Sequence, residues 1–134
     1  MAGTYLLYLL VNESKTIMIG RQKTNFQPGL YVYVGYAPND LEKRIDRHLK
    51  MKRRKHWPID FLIENAEVVG VKTFENVKAG ACDFVKKLAE VSEGHVPGFD
   101  CPDCECECES HLYYFGSESE DKINKALEET IRFE

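Results

Sequence analysis

The sequence predicts an α+β domain, a small sheet flanked by helices, on three observations. Two aromatic-rich apolar runs, GTYLLYLLV at 3–11 and LYVYVG at 30–35, have the length and composition of strands. Three later segments repeat apolar residues every three or four positions, the spacing of helices that lay one face on a core. The chain has 134 residues, 43% hydrophobic and 30% charged, with seven Tyr and seven Phe, which suits one domain with its own core. The expected domain runs over 3–134 and carries a Cys-rich loop near 100–109.

Taken in order, residues 3–11 are the first strand, closed by the polar turn NESK. TIMIG at 16–20 is its expected hairpin partner, and 21–29 a loop ending in Pro28 and Gly29. The strand at 30–35 sets Tyr31, Tyr33 and Gly35 on one face and Val32 and Val34 on the other. Asn39 or Asp40 then caps a helix whose Leu41, Ile45 and Leu49 form the stripe expected to pack on the sheet. Arg44 and His48, four residues apart, share a neighbouring face. Residues 50–57 form a basic turn or helix end, 59–66 a helix and 67–74 a strand. A helix over 77–91 is built on Val77, Ala81, Phe84, Val85, Leu88 and Val91. An irregular loop covers 94–110, a strand 111–116, and a closing helix over 118–133 presents Ile123, Leu127 and Ile131.

No apolar run reaches the roughly 18 residues of a membrane helix, and 5–11 is too short and lacks a basic leader. A soluble, cytoplasmic protein is therefore expected. The net charge of −4 conceals an asymmetry. Residues 1–60 carry eleven basic and five acidic side chains, a net +6; residues 61–99 carry −2 and residues 100–134 carry −8. The basic part suits a polyanion, and the acidic part either repels one or serves as a solvated face.

The chemistry-bearing residues gather around the two long strands. Cutting a phosphodiester requires an activated water, positive charge on the phosphoryl oxygens and usually a divalent metal. Tyrosine suits proton transfer once its ionisation is eased, and the arginine fork suits phosphate. Tyr5 and Tyr33 lie on the two strands with Gly3 and Gly35 beside them, and Arg44 and His48 follow on the next helix. By themselves these residues also suit ordinary strand aromatics and a solvated helix face.

GTY at 3–5, YVG at 33–35 and a helix with Arg44 and His48 resemble, in this order, the GIY-YIG nuclease superfamily. HWPIDFL (56–62), VPGFDCPDC (96–104) and SHLYYF (110–115) narrow the resemblance to the GIY-YIG-like family of unknown function sometimes fused to endonuclease III. The resemblance covers most of residues 3–116. It implies a small, mainly antiparallel sheet flanked by helices, with Tyr5, Tyr33, Arg44 and His48 lining one catalytic cleft. Tyr5 would assist deprotonation of the attacking water and Tyr33 would position water or phosphate. Arg44 would neutralise developing charge, and His48 would assist proton transfer or bind phosphate. Magnesium or manganese would be the metal. Two positions depart from the family's pattern: Ala81 stands where its metal-binding glutamate is expected, with Glu75 upstream and Asp83 one helical step past Cys82, and Pro58 stands where a histidine is expected.

Lys43, Arg44, Arg47, Lys50, Lys52, Arg53, Arg54 and Lys55 fall within thirteen residues, a cluster suited to phosphate contacts without sequence reading. Trp57 beside it suits either base stacking or burial. Cys101, Cys104, Cys106 and Cys108 lie in one loop, with Cys82 and His111 as candidate neighbours. They suit a thiolate site for zinc, disulfides or free thiols. Asp103 and His111 suit either a place near the cleft or the satisfaction of backbone groups. Three functions stay open: a metal-dependent phosphodiester-cutting domain acting on DNA, a non-catalytic nucleic-acid-binding module that has lost its metal ligand, and a thiolate metal-binding protein.

Overall fold

A computed structural model describes residues 3–37, 39–50, 57–75, 81–99, 110–116, 121, 123–125 and 127–128. Its strands are β1 (Gly3–Val11), β2 (Lys15–Ile19), β3 (Gln22–Phe26), β4 (Gly29–Ala37), β5 (Glu67–Glu75), β6 (Gly94–His95) and β7 (Leu112–Gly116). Its helices are α1 (Leu41–Leu49), α2 (Pro58–Ile63) and α3 (Ala81–Val91), with further helical residues at 121, 123–125 and 127–128. Five strands form one antiparallel sheet in the order β5-β1-β4-β7-β6, and β2 and β3 form a separate hairpin. The expected α+β class holds.

The sheet buries both faces, which is why β1 is apolar at almost every position rather than alternating. One face carries Tyr5, Leu7, Leu9, Tyr31, Tyr33 and Leu112, covered by Leu41 of α1, by Ile59 and Leu62 of α2, and by Ile17 and Phe26 of the small hairpin. The other carries Leu6, Tyr8, Val32 and Val34, covered by Ala81, Phe84, Val85 and Leu88 of α3 together with Ile123 and Leu127. The split of Tyr31 and Tyr33 from Val32 and Val34 follows the period-two alternation of the strand.

Three expectations are corrected. TIMIG does not pair with β1: β2 pairs β3 in register from Lys15↔Phe26 to Ile19↔Gln22, through a turn at Gly20 with φ 63°. The neighbours of β1 are β4 and β5. QKTNF, expected as loop, is the second strand of that hairpin. Within 94–110, Gly94 and His95 pair with Tyr114 and Tyr113 as a short strand. The start of the 77–91 helix and the end of the 118–133 helix lie outside the described residues.

Asp40 caps α1, its carboxylate accepting the Lys43 amide at 3.1 Å. The helix stripe differs from the apolar one: Leu49 is 49% exposed, whereas His48 is fully buried. Leu41, Ile45 and His48 face the sheet, at i, i+4 and i+7. That places an imidazole, not an aliphatic side chain, against Tyr5.

Candidate functional site: a buried tyrosine, histidine and aspartate in line

Tyr5 lies directly opposite Gly35 across the β1–β4 ladder. Its ring covers that glycine: a Cβ on Gly35 would sit 2.1 Å from Tyr5 Cζ and 2.4 Å from its hydroxyl oxygen. A glycine is thus required for the tyrosine to cross the neighbouring strand. Tyr33, two residues before Gly35, shares the face, with its ring centroid 6.5 Å from that of Tyr5.

The Tyr5 hydroxyl is 2.8 Å from His48 Nε2. On the far side of the ring, Asp60 Oδ1 lies 3.6 Å from His48 Nδ1. Tyr5 is 1% exposed, and His48 and Asp60 are fully buried. The three groups come from β1, α1 and α2, so the line exists only in the folded chain.

Asp60 is anchored twice more. Arg47 Nη1 and Nη2 donate to Oδ1 and Oδ2 at 3.2 and 3.1 Å, a fork matched to the carboxylate. Its Oδ2 also accepts the Trp57 amide at 2.9 Å. Asp60 is the third residue of α2, where a carboxylate reaching back to the capping residue satisfies an exposed helix donor. Pro58 opens that helix, a position that has no intrahelical use for an N–H.

The outer rim is cationic. The guanidinium carbons of Arg44 and Arg47 sit 4.5 and 4.6 Å from the centroid of the half-buried Trp57 ring, which lies 5.8 Å from His48. Arg44 also donates to the Tyr36 carbonyl at 3.0 Å. Of the expected phosphate-contacting residues, Lys43 and Lys50 are exposed, Arg47 is turned inward to Asp60, and Lys52, Arg53, Arg54 and Lys55 lie outside the described residues.

The sequence profile of the family described as domain of unknown function DUF123 matches residues 4–132. The chain belongs to the DUF123 family. No curated protein and no solved structure gives a significant match.

In this DUF123 domain Tyr5, Tyr33, Arg44 and His48 share one side of the sheet, while Ala81 packs with Leu6 and Val34 on the other. Asp83 is exposed on α3, and Glu75 pairs in backbone register with Gly3 at the end of β5. Among the described residues, no group of three His, Cys, Asp or Glu side chains is arranged to hold a metal ion. Asp60 does not fit that role either, because Arg47 and the Trp57 amide already engage both its oxygens.

His111 is a backbone partner. Its Nδ1 lies 2.9 Å from the Val34 carbonyl, and its own carbonyl accepts the Val34 amide at 2.9 Å. Asp103, Cys101, Cys104, Cys106 and Cys108 lie outside the described residues. Cys82, in the first turn of α3, is disulfide-bonded, and its partner also lies outside them.

Sequence reasoning missed Asp60. The available signal was its place in WPID: an acidic residue three positions after a capping residue, behind a helix-opening proline, is held in a fixed position.

Proposed function

We propose that this DUF123 domain cuts phosphodiester bonds in nucleic acid, DNA in the first instance, as a divergent GIY-YIG-type nuclease. The observation that carries the reading is the Tyr5 hydroxyl, hydrogen-bonded at 2.8 Å to a buried imidazole beside two partly exposed guanidinium groups. A purely structural core does not require these groups, since burying polar side chains costs free energy unless every one is paired. The adjacent antiparallel strands carrying Gly3-Thr4-Tyr5 and Tyr33-Val34-Gly35 support the superfamily assignment.

Hydrolysis forms a bond from water oxygen to phosphorus and breaks the bond to one ester oxygen. In the proposed reaction the water's proton passes to Tyr5 Oη as the tyrosine's own proton moves to His48 Nε2, and the departing alkoxide is protonated by solvent. Arg44 neutralises charge on the phosphoryl oxygens, and Tyr33 orients water or phosphate from the next strand. Lys43 and Lys50, with Lys52, Arg53, Arg54 and Lys55 after them in sequence, supply phosphate contacts along the strand. Because Tyr5 is 1% exposed, the substrate enters by displacing groups over it. Magnesium or manganese would supply Lewis-acid polarisation when bound; among the described residues no group of three His, Cys, Asp or Glu side chains is arranged to hold it.

A second reading is a nucleic-acid-binding module without catalysis; it is favoured by Asp60, the carboxylate beside His48, being engaged by Arg47 and the Trp57 amide rather than held open to a metal. Nicking of supercoiled and branched DNA with Mg²⁺ or Mn²⁺ separates the two. The expected result is metal-dependent cutting that falls about 10²-fold or more in Tyr5→Phe and in Arg44→Ala. Salt-sensitive binding that is weakened by Arg44→Ala, with no cutting, establishes the second reading. Neither cutting nor binding rejects both.

A further inference from the structure

The line of buried groups does not end at the imidazole. We infer that Asp60, held by the Arg47 fork, is a positioning residue that fixes the His48 tautomer, with the proton on Nδ1 and the lone pair on Nε2 turned to Tyr5. The inference rests on the reading of Tyr5 as the proton-transferring group, and it adds the residue that gives this transfer its direction.

The geometry selects one tautomer. Neutral imidazole carries one N–H and one acceptor nitrogen. Were Nδ1 the acceptor, its lone pair would face the Asp60 carboxylate at 3.6 Å, two electron-rich groups opposed in a site with no exposure. With the proton on Nδ1 the same approach is attractive, and Nε2 then accepts from the Tyr5 hydroxyl at 2.8 Å. Tyr5 becomes the donor of that bond, which leaves its oxygen lone pairs to receive a proton from water. With the opposite tautomer Tyr5 would accept from Nε2–H and could pass no proton inward.

Charge supports the same assignment. Among the described residues, His48 meets Tyr5 from β1 and Asp60 and the Trp57 ring from α2 and its cap, with Arg44 and Arg47 stacked on that same Trp57 ring. The guanidinium groups oppose an incoming positive charge on the imidazole, and the Asp60 carboxylate is the group in contact that favours it. Arg47 does not take the carboxylate away from the ring, because its fork fixes the carboxylate plane through both oxygens while Oδ1 stays 3.6 Å from His48 Nδ1. The Trp57 amide fixes Oδ2 from a third direction. Each of these contacts orients the carboxylate, and the carboxylate orients the ring.

The test has a readout independent of cutting. In the full chain, ¹⁵N-edited NMR of the histidine side chains reports which His48 nitrogen carries the proton, with His48→Gln assigning the signal. The expected result is an Nδ1–H imidazole in the wild type that changes to Nε2–H, wholly or in part, in Asp60→Asn. A wild-type Nε2–H tautomer overturns the inference, as does an Nδ1–H tautomer that survives Asp60→Asn. Arg47→Lys, which keeps the carboxylate charged, is expected to retain Nδ1–H, and it serves as the comparison if Asp60→Asn does not fold; an Nε2–H form in Arg47→Lys then overturns the inference. In the nicking assay, Asp60→Asn is expected to lower the rate about 10²-fold and move its pH profile, while DNA binding at the Arg44 rim persists. The expected tautomers with no cutting by the wild type would reject the nuclease reading and leave the assignment of Asp60 standing.

Discussion

The two faces of the central sheet are built on different rules. Behind β4, Val32 and Val34 meet Phe84, Val85 and Leu88 of α3 in an apolar layer whose stability follows from area removed from water. In front, the same strand meets a layer into which α1 and α2 deliver an imidazole and a carboxylate, both fully buried. The chain could have closed this face with leucines, as it did the other. Groups that need partners in place are what the proposed chemistry requires of this face, and the contrast is testable because one strand serves both layers.

The largest effect on stability is expected from the apolar layer. Phe84 is fully buried against Phe74, with ring centroids 4.7 Å apart. Phe84→Ala should lower unfolding free energy by about 3–5 kcal/mol, measured by urea denaturation. The His48 tautomer of the folded fraction should not change, because the Tyr5–His48–Asp60 line is built from β1, α1 and α2 on the other face of the sheet. A changed tautomer at full folding would break the separation between the faces.

A smaller cost in stability with a larger cost in chemistry is expected at Gly35→Ala. An alanine in a strand ordinarily costs nothing and can stabilise, by reducing the freedom of the unfolded chain. Here the added methyl would stand 2.1 Å from Tyr5 Cζ, so the ring must leave the neighbouring strand. Expected are a loss of about 1–3 kcal/mol and loss of the Tyr5 hydroxyl's bond to His48, seen as a shift of the His48 ring signals. A variant as stable as wild type with unaltered ring signals would remove the reason for a glycine opposite Tyr5.

How much of this was legible in the sequence differs by level. The strands β1, β4 and β5, the Asp40 cap and the stripes over Phe84–Leu88 and Ile123–Leu127 follow from period and capping chemistry, both local properties. The β2–β3 hairpin was half missed, because QKTNF is polar and its strand character comes from pairing and from Phe26 reaching the core. Counting only apolar residues put Leu49 on the packed stripe of α1, where the fold puts His48. Tyr5, Tyr33, Arg44 and His48 stood out as candidates through their order along the chain, and the fold sets Tyr5 beside Tyr33 and His48. Asp60 did not stand out, since an acidic residue early in a helix normally faces water, whereas here the Arg47 fork, the Trp57 amide and the approach of α1 support its burial.

The smallest effect sharpens the comparison within one face, between two tyrosines of the same layer. Tyr31 is as buried as Tyr5, but its hydroxyl donates to the Gln27 carbonyl at 2.7 Å, a backbone partner that cannot take up a proton. Burial, and then the neighbouring Tyr114, push its ionisation up from 10.0 to about 12. The sign of the consequence follows from linkage. Below pH 10 the hydroxyl is neutral in both folded and unfolded chains, and it contributes no pH dependence. Between about pH 10 and about pH 12 the unfolded chain loses this proton and the folded chain keeps it, so stability falls as pH rises through that window. Denaturation midpoints at pH 9 and pH 11.5 should therefore separate further in the wild type than in Tyr31→Phe, and absorbance at 295 nm should show a tyrosine titrating near 12 that Tyr31→Phe abolishes. Equal separation in the two proteins would mean that Tyr31 ionises as freely in the fold as in water, and that burial on this face carries no electrostatic cost for a hydroxyl without an imidazole beside it.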